Sequence, residues 1–563
     1  MNQPKSLVSP LWVWLGSLFI AWGWLLPNTN IPWVAFHRDA WVASGMALIV
    51  VVAAARIREQ TPWHWITWLT AGMACVPLLQ YQFGLVPFAG IAWISTAYVL
   101  GFLVAMLAGA LWARRNAMEA GDALFLATGV AATLSAGLAL YQWLVLDWLG
   151  LWVLPPYIGL RAYANLGQPN QLATLLVWGL LASGWALARG YIRLPVATLW
   201  WAFLMLGITL TQSRTSWLVL AAFVLLLWYW RGRWNPGRVY WVIAGLLVYF
   251  LLLNAALAPV SQAIGLESPP ELLRKTLNES RPAIWAMFLD ATFERPWLGY
   301  GWTQVPAAQM AISPEHPEMV GTTFSHAHNL FIDFILFMGW PLGLIASAGL
   351  LAWMAGQLRR VATCEDALLM LMLVAVGIHA MLELPLHYAY FLLPSGIAVG
   401  ILNIRNAPPA RWHTPRWVFA ALGTGAIALL AAIIIDYLEV ESNYTAMRFE
   451  SARIGTLPPL PPPDVIVLTQ MREVLRMARF KVDRGLTEEQ LQWMRDVTDH
   501  HSSLTNLHST AVALALNNHK EEAQKRVTYM CDTVSPFQCQ IAKNAWKNSQ
   551  KQYPELASIT GPR

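Results

Sequence analysis

Charged side chains are scarce in this sequence. Asp, Glu, Lys and Arg make up 12% of its 563 residues, where a soluble domain carries roughly 25%. Hydrophobic residues reach 57% and mean hydropathy is +0.46, so most of the chain cannot have water as its solvent. Other absences bear on function. No G-x-x-x-x-G-K-[ST] phosphate cradle occurs, so nothing points to nucleotide hydrolysis. No G-x-S-x-G elbow occurs either, which removes the usual signature of a serine nucleophile. The net charge of +6 implies no nucleic-acid partner, because most of the surplus lies in short loops between apolar runs. No small-residue cleavage site follows the first apolar run, 11–26, which reads as a signal anchor. Cysteine is nearly absent, with four in all: Cys75 and Cys364 stand far apart, while Cys531 and Cys539 close a short polar loop, CDTVSPFQC. A disulfide there needs an oxidising compartment such as the periplasm, and two free thiols would mean a cytosolic tail.

What the chain has instead is apolar runs near the 17–25 residues that cross roughly 30 Å of hydrocarbon. They fall at 11–26, 41–55, 64–80, 86–112, 122–147, 171–188, 196–211, 215–230, 239–258, 329–355, 366–382, 388–403 and 417–436. The 32 tryptophans suit membrane interfaces. With Lys5 inside, alternate gaps hold Arg56/Arg58, Arg114/Arg115, Arg189/Arg193, Arg231/Arg233/Arg238, Arg359/Arg360 and Arg405/Arg411/Arg416. Basic residues mark the cytoplasmic side, so the N-terminus is expected inside, and the 259–328 loop and the tail outside. The expected fold is all-α: a polytopic membrane domain, 1–436, of about thirteen transmembrane helices, its outer loop 259–328 carrying part of the active site, and a soluble periplasmic helical domain, 437–563. The tail opens on a Pro-rich joint, LPPLPPPD at 457–464, followed by apolar residues at i, i+3, i+4 spacing. Its paired helices suit either a module resembling tetratricopeptide units or a plain helical bundle.

Polar residues on the expected outer side stand out against this background. Arg161, Arg214 and Arg281 run against the topological bias, and Arg offers a planar fork of donors suited to phosphate oxygens. Together they would make a diphosphate site; the plainer reading has them snorkel or pair with Glu279, Glu294 or Glu383. His326, His328 and Asn329 lie where GTTFSHAHN meets an apolar run, and His328 is suited to take a proton near pH 7. A metal site at His326 and His328 lacks a third ligand at a convincing spacing, Asp333 lying one turn inside the apolar run. Gln168, Asn170 and Gln171 form an amide cluster that either caps the helix after Pro169 or hydrogen-bonds sugar or phosphate. Glu383, His387, Tyr388 and Tyr390 share ELPLHYAYF, where interfacial belting explains the tyrosines but not the charged pair.

Taken together, NLGQPNQLA, QSRTSW, SRPAIW with PWLGYGW, and HAHNLFIDFILFMGWPLG resemble the O-antigen ligase superfamily, and GQPNQLA, ELPLHYAYFLLP and the long tail are most similar to its pilin-glycosylating protein O-oligosaccharyltransferases. His328, Asn329 and Gly339 fit the family's histidine motif, which Leu342 then leaves. The resemblance implies a polyprenyl diphosphate-linked oligosaccharide as donor, drawn from the membrane lipid, and a pilin-like protein or lipid A–core as acceptor, with no cofactor. It implies His328, Arg281 and Arg214 as catalytic residues. Arg161, Gln168, Asn170, Gln171, His326, Asn329, Glu383, His387 and Tyr388 would bind substrate, in a bacterial inner-membrane protein whose site faces the periplasm. A polysaccharide polymerase is a further alternative. A transporter would show polar or broken helices in mid-membrane, whereas here the polar residues gather on one expected face.

Overall fold

A computed structural model describes the chain except residues 1–10, 57–59, 156–160, 234–236, 267–280, 320, 456–459, 533 and 563. Lys5, Arg58, Glu279 and the start of the Pro-rich joint lie outside the described residues. The chain is an all-α membrane protein, with one two-stranded ribbon among the described residues. Its helices are α1 (Leu11–Leu25), α2 (Phe36–Arg56), α3 (Trp65–Gln82), α4 (Ala89–Trp143), α5 (Pro169–Ala188), α6 (Leu194–Thr211), α7 (Arg214–Tyr229) and α8 (Val239–Ala263). There follow α9 (Arg281–Glu294), α10 (Val305–Ile312), α11 (Leu330–Arg360), α12 (Cys364–Ala380), α13 (Ala389–Arg405) and α14 (Arg416–Ser451). The tail adds α15 (Thr469–Ala478), α16 (Glu488–His500), α17 (Leu504–Leu516), α18 (Lys520–Asp532) and α19 (Pro536–Gln552).

Each expected apolar run falls on a helix. Among the described residues, seven helices are long and apolar enough to cross a membrane, so the count of thirteen crossings is not reached by that measure. Part of the difference is a merger. Runs 86–112 and 122–147 belong to the 55-residue α4, which turns at Asn116 (φ −158°, ψ 93°). There the Asn116 side chain accepts the Glu119 N–H at 3.1 Å and restarts the helix.

The chain divides into two compact units. The first comprises Met1–Ala71, Tyr98–Glu279 and Gly349–Leu430. Its core runs through Trp178, Trp185, Leu369–Met372 and Ile401–Leu402 of α5, α12 and α13. Without a hydrophobic drive between helices in lipid, association relies on close packing of small residues, and α4 and α13 meet in that way. A Cβ at Gly400 would lie 2.1 Å from the Met106 carbonyl oxygen, and one at Gly109 2.5 Å from that of Ile397. Strands β1 (Thr61–Trp63) and β2 (Trp412–Thr414) pair antiparallel, Thr61 opposite Thr414.

The second unit comprises Gly72–Ala97, Ser280–Ala348 and Ala431–Arg563. The tail thus clusters with 72–97 and the 280–348 segment. α14 continues to Ser451, past the expected end at 436, and the Asp436 carboxylate accepts the N–H groups of Ile466, Val467 and Leu468. Capping boxes start α16 at Thr487 and α19 at Ser535. Cys531 and Cys539 are joined by a disulfide, and the neighbouring Asp532 carbonyl accepts the Gly321 N–H at 2.7 Å.

Within this unit the stretch PWLGYGW docks on a break in α11. Tyr300 N–H donates to Leu336 O (2.7 Å) and Trp340 N–H to Pro296 O (2.8 Å). Gly339 adopts φ 74°, ψ 173°, and a Cβ there would lie 2.4 Å from the Trp297 carbonyl oxygen. Two glycine-only demands coincide at Gly339: a left-handed backbone and a backbone-to-backbone contact. Gly339→Ala is therefore expected to cost about 2–4 kcal/mol, read as a lower thermal midpoint of the detergent-solubilised protein. Gly377→Ala in α12, where a Cβ meets nothing within 4 Å, should leave that midpoint unchanged or raise it.

Candidate active site

In the first unit the polar residues singled out above converge on one amide. Asn170, on the first turn of α5, accepts from Arg161 Nη2 (2.9 Å) and Ser213 Oγ (2.8 Å) at Oδ1, and donates from Nδ2 to Glu383 Oε1 (3.2 Å). Arg161 Nε also donates to the Thr211 carbonyl at 2.7 Å. That carbonyl is presented by the sharp 211–214 turn, where Gln212 is left-handed (φ 48°) and Arg214 opens α7. Gln168 forms no side-chain cap on α5. It donates instead to Glu383 Oε2 at 3.3 Å, which sets aside the capping alternative for this residue. Gln171 accepts from Tyr390 OH at 2.7 Å, and Tyr388 stacks on Tyr390 with centroids 5.2 Å apart. Positive ends of α5 and α7 thus flank a guanidinium, an arrangement that favours an anionic oxygen.

In the second unit the histidine loop is held from three sides. Gln309 of α10 brackets its start, donating to Thr322 O (2.8 Å) and accepting the Phe324 N–H (2.9 Å). Asp333, one turn into α11, accepts the Ala327 N–H at 2.7 Å. Trp285 Nε1 of α9 donates to the His328 carbonyl at 3.2 Å. His328 itself is left-handed, φ 56°, a conformation that costs a residue with a Cβ about 1–2 kcal/mol. Its N–H donates to His326 Nδ1 at 3.1 Å, and the two rings lie 4.1 Å apart. In that bond His326 Nδ1 is the acceptor. Asn329 Oδ1 accepts the N–H of Phe331 (3.1 Å) and of Ile332 (3.4 Å), so this oxygen caps α11. Arg281 opens α9 and shares a face with Trp285 and Phe288 at i, i+4, i+7 spacing. Phe288 meets Phe324 edge to face at 5.9 Å, so this face of α9 looks onto the histidine loop. Among the described residues no three His, Cys, Asp or Glu side chains converge as metal ligands.

Comparison with known proteins gives this chemistry a class. The O-antigen ligase family matches residues 197–347, which hold Arg214, Arg281, His326 and His328. The protein glycosylation ligase family matches residues 162–187, which hold the amide cluster, and the C-terminal part of virulence factor membrane-bound polymerases matches 367–531. The chain is 28% identical over 533 residues, 92% of its own length and 91% of the relative's, to a general O-oligosaccharyltransferase of Acinetobacter baylyi. It is 31% identical over 249 residues, 44% of each chain, to a ComP-specific O-oligosaccharyltransferase of the same organism. The chain is a glycosyltransferase, and its residues 197–347 match the O-antigen ligase family.

The structure of this glycosyltransferase groups Arg161, Gln168, Asn170, Gln171, Glu383 and Tyr388 with the turn that precedes Arg214 in one unit, and His326, His328, Asn329 and Arg281 in the other. His387 lies in the 385–387 turn, where burial pushes its imidazole down to about 4. Ser213, Tyr390, Trp285 and Gln309 complete the two clusters. Of these, Tyr390 was visible within ELPLHYAYF, Ser213 within QSRTSW and Trp285 within SRPAIW, but Gln309 carries no local signal.

Two outcomes follow for the glycosyltransferase. Asn170→Asp would set a carboxylate against Glu383, and the like charges should weaken donor affinity by about tenfold or more, measurable as a raised KM for the lipid-linked donor. Acid should also destabilise the fold. Burial holds His387 and His500 near 4, whereas an unfolded histidine protonates near 6.5. Between those values the unfolded chain binds more protons, so stability is full above about pH 6.5 and falls as pH drops toward 4, by about 1.4 kcal/mol per unit of depression. Thermal midpoints from pH 7.5 to 4.5 should show this, and His387→Asn should flatten its share.

Proposed function

We propose that the chain transfers an oligosaccharide en bloc from a polyprenyl (undecaprenyl) diphosphate carrier to a Ser or Thr hydroxyl of periplasmic proteins such as pilin. It acts in the bacterial inner membrane, with the N-terminus cytoplasmic and the site and tail periplasmic. Arg161, Arg214 and Arg281 bind the diphosphate. His328 orients the acceptor hydroxyl or takes its proton as the oxygen attacks the anomeric carbon. The bond from that carbon to the diphosphate oxygen breaks, the configuration inverts, and the polyprenyl diphosphate leaves with its charge held by the arginines. No nucleotide is required, because the glycosyl diphosphate is already activated.

The observation that carries this reading is the backbone of His328. A left-handed histidine at a polar loop mouth, with its N–H on His326 and its carbonyl on Trp285, is strain retained by its surroundings, and such strain concentrates at active sites. Both relatives named above are O-oligosaccharyltransferases, which supports transfer of a whole glycan.

The test is co-expression with a candidate pilin in a bacterial host that makes one defined lipid-linked oligosaccharide and lacks its own ligases. Glycan should appear on pilin. Glycan on lipid A–core instead would make the chain an O-antigen ligase, and longer lipid-linked chains alone would make it a polymerase. His328→Ala should lower transfer by about 10²–10⁴ at unchanged protein level. His328→Gly should be as inactive yet no less stable than the native chain, since glycine adopts φ near +56° without strain. Transfer by His328→Ala at the native rate would sink the role given to this residue.

A further inference from the structure

Two charged residues at the start of α2 belong to neither cluster, yet both are buried: Arg38 is 2% exposed and Asp39 5%. Burying charge in an apolar domain is costly unless each group is engaged, and the engagements of this pair are specific. Arg38 Nη1 donates to the Asn165 carbonyl (2.5 Å) and Nη2 to that of Val34 (3.3 Å), while the guanidinium lies 5.8 Å from the centre of the Tyr390 ring. Asp39 accepts from Tyr98 OH at Oδ2 and from the Ala389 N–H at Oδ1, both at 2.7 Å.

Asn165 lies in the segment that runs from Arg161 to Asn170. Its side chain is committed as well, accepting the Leu154 N–H (3.1 Å) and donating to Leu25 O (2.6 Å) and Trp152 O (2.9 Å). Ala389 opens α13 directly after the turn that carries Glu383, His387 and Tyr388. One dipeptide therefore grips both strands of chain whose side chains face each other across the Asn170–Glu383 and Gln171–Tyr390 bonds.

We propose that Arg38 and Asp39 are positioning residues for the donor site, setting the separation of the Arg161–Asn170 side from the Glu383–Tyr388 side and thereby the affinity for the lipid-linked diphosphate. This rests on the assignment of the Arg161 cluster to the donor. The Arg–Asp pair meets the cluster's segments through the Asn165 carbonyl, the Ala389 N–H and the Tyr390 ring, so its effect on binding passes through geometry.

The test uses the full chain in lipid nanodiscs and a fluorescent disaccharide linked by diphosphate to a short polyprenyl chain, whose Kd needs no acceptor. Each variant is first checked to be monodisperse. Arg161→Ala and Asp39→Ala should each raise Kd by about tenfold or more. Asp39→Asn should stay within about threefold, because its amide oxygen still accepts the Ala389 N–H and its NH2 can meet the Tyr98 oxygen. Arg38→Lys should weaken binding about tenfold, since an ammonium lacks the planar fork that reaches two carbonyls. The positioning role is overturned if Asp39→Ala, or Arg38→Lys where that variant does not fold, binds like the native chain while Arg161→Ala does not. It is equally overturned if Asp39→Asn is as weak as Asp39→Ala. Native binding by Arg161→Ala would instead refute the donor assignment.

Discussion

Asn170 is the side chain on which the polar architecture of the first unit depends. In an apolar surround, an amide, a guanidinium or a carboxylate without a partner costs several kcal/mol, so polar groups there must be arranged as closed sets. Asn170 closes one such set. Its oxygen serves two donors, Arg161 and Ser213, and its nitrogen serves Glu383. The amide joins three separate segments: the approach to α5, the 211–214 turn and the 383–388 turn. It also bonds both a cation, Arg161, and a carboxylate, Glu383, through one neutral amide. Gln168 then fills the second oxygen of Glu383, and Gln171 carries the network on to Tyr390.

The second unit solves a different problem, that of ending a helix at a polar loop without leaving its first N–H groups unmet. Asn329 meets two of them, and Asp333 turns back to hold the loop itself at Ala327. The break at Gly339 frees backbone groups farther along α11, and the 296–300 segment takes them. The spacing from His328 to Gly339 thus has a physical cause. The histidine stands just before the helix, and the glycine is where the helix gives way so that PWLGYGW can dock on it.

Much of this was legible from residue types alone. Apolar runs located the helices because each buries or exposes a continuous apolar surface, and the scarcity of charge made Arg161, Gln168, Asn170 and Glu383 conspicuous. What could not be read was which partner each polar group takes. Gln168 could be read as a cap on α5 or as a ligand for sugar or phosphate, yet a carboxylate 215 residues away is its partner. Asn329 looked like a substrate ligand, and its oxygen caps α11. Arg38 was within reach of the same reasoning that picked out the other arginines, since it too lies on the expected outer side. It was not weighed with them, and nothing local shows that its side chain and that of Asp39 bond to distant segments. Likewise the change of composition near residue 436 marks where hydrophobicity ends, while the clustering of the tail with 72–97 and 280–348 depends on contacts that composition does not encode.

The two ends of α5 show that the arrangement around Asn170 is not a generic answer to burying arginine. At the C-terminal end, Arg189 meets Asp122 directly, with Nε to Oδ1 at 3.1 Å, and Tyr191 and Trp185 complete the same carboxylate. Arg405 of α13 likewise meets Asp366 at 2.5 Å. These are contact ion pairs, and they lie where basic residues recur from gap to gap along the chain. At the opposite end of α5, some twenty residues and about 30 Å along the helix, Arg161 donates to the Thr211 carbonyl and to the Asn170 amide oxygen, which Ser213 also serves, while the Asn170 nitrogen reaches Glu383. The two ends thus differ in the side chain on which the bonds converge: a carboxylate at one, an amide at the other. A carboxylate only accepts, so it gathers donors, whereas an amide accepts and donates at once. Asn170 can therefore tie a donor-bearing segment to an acceptor-bearing one, which Asp122 cannot do for the segments around it.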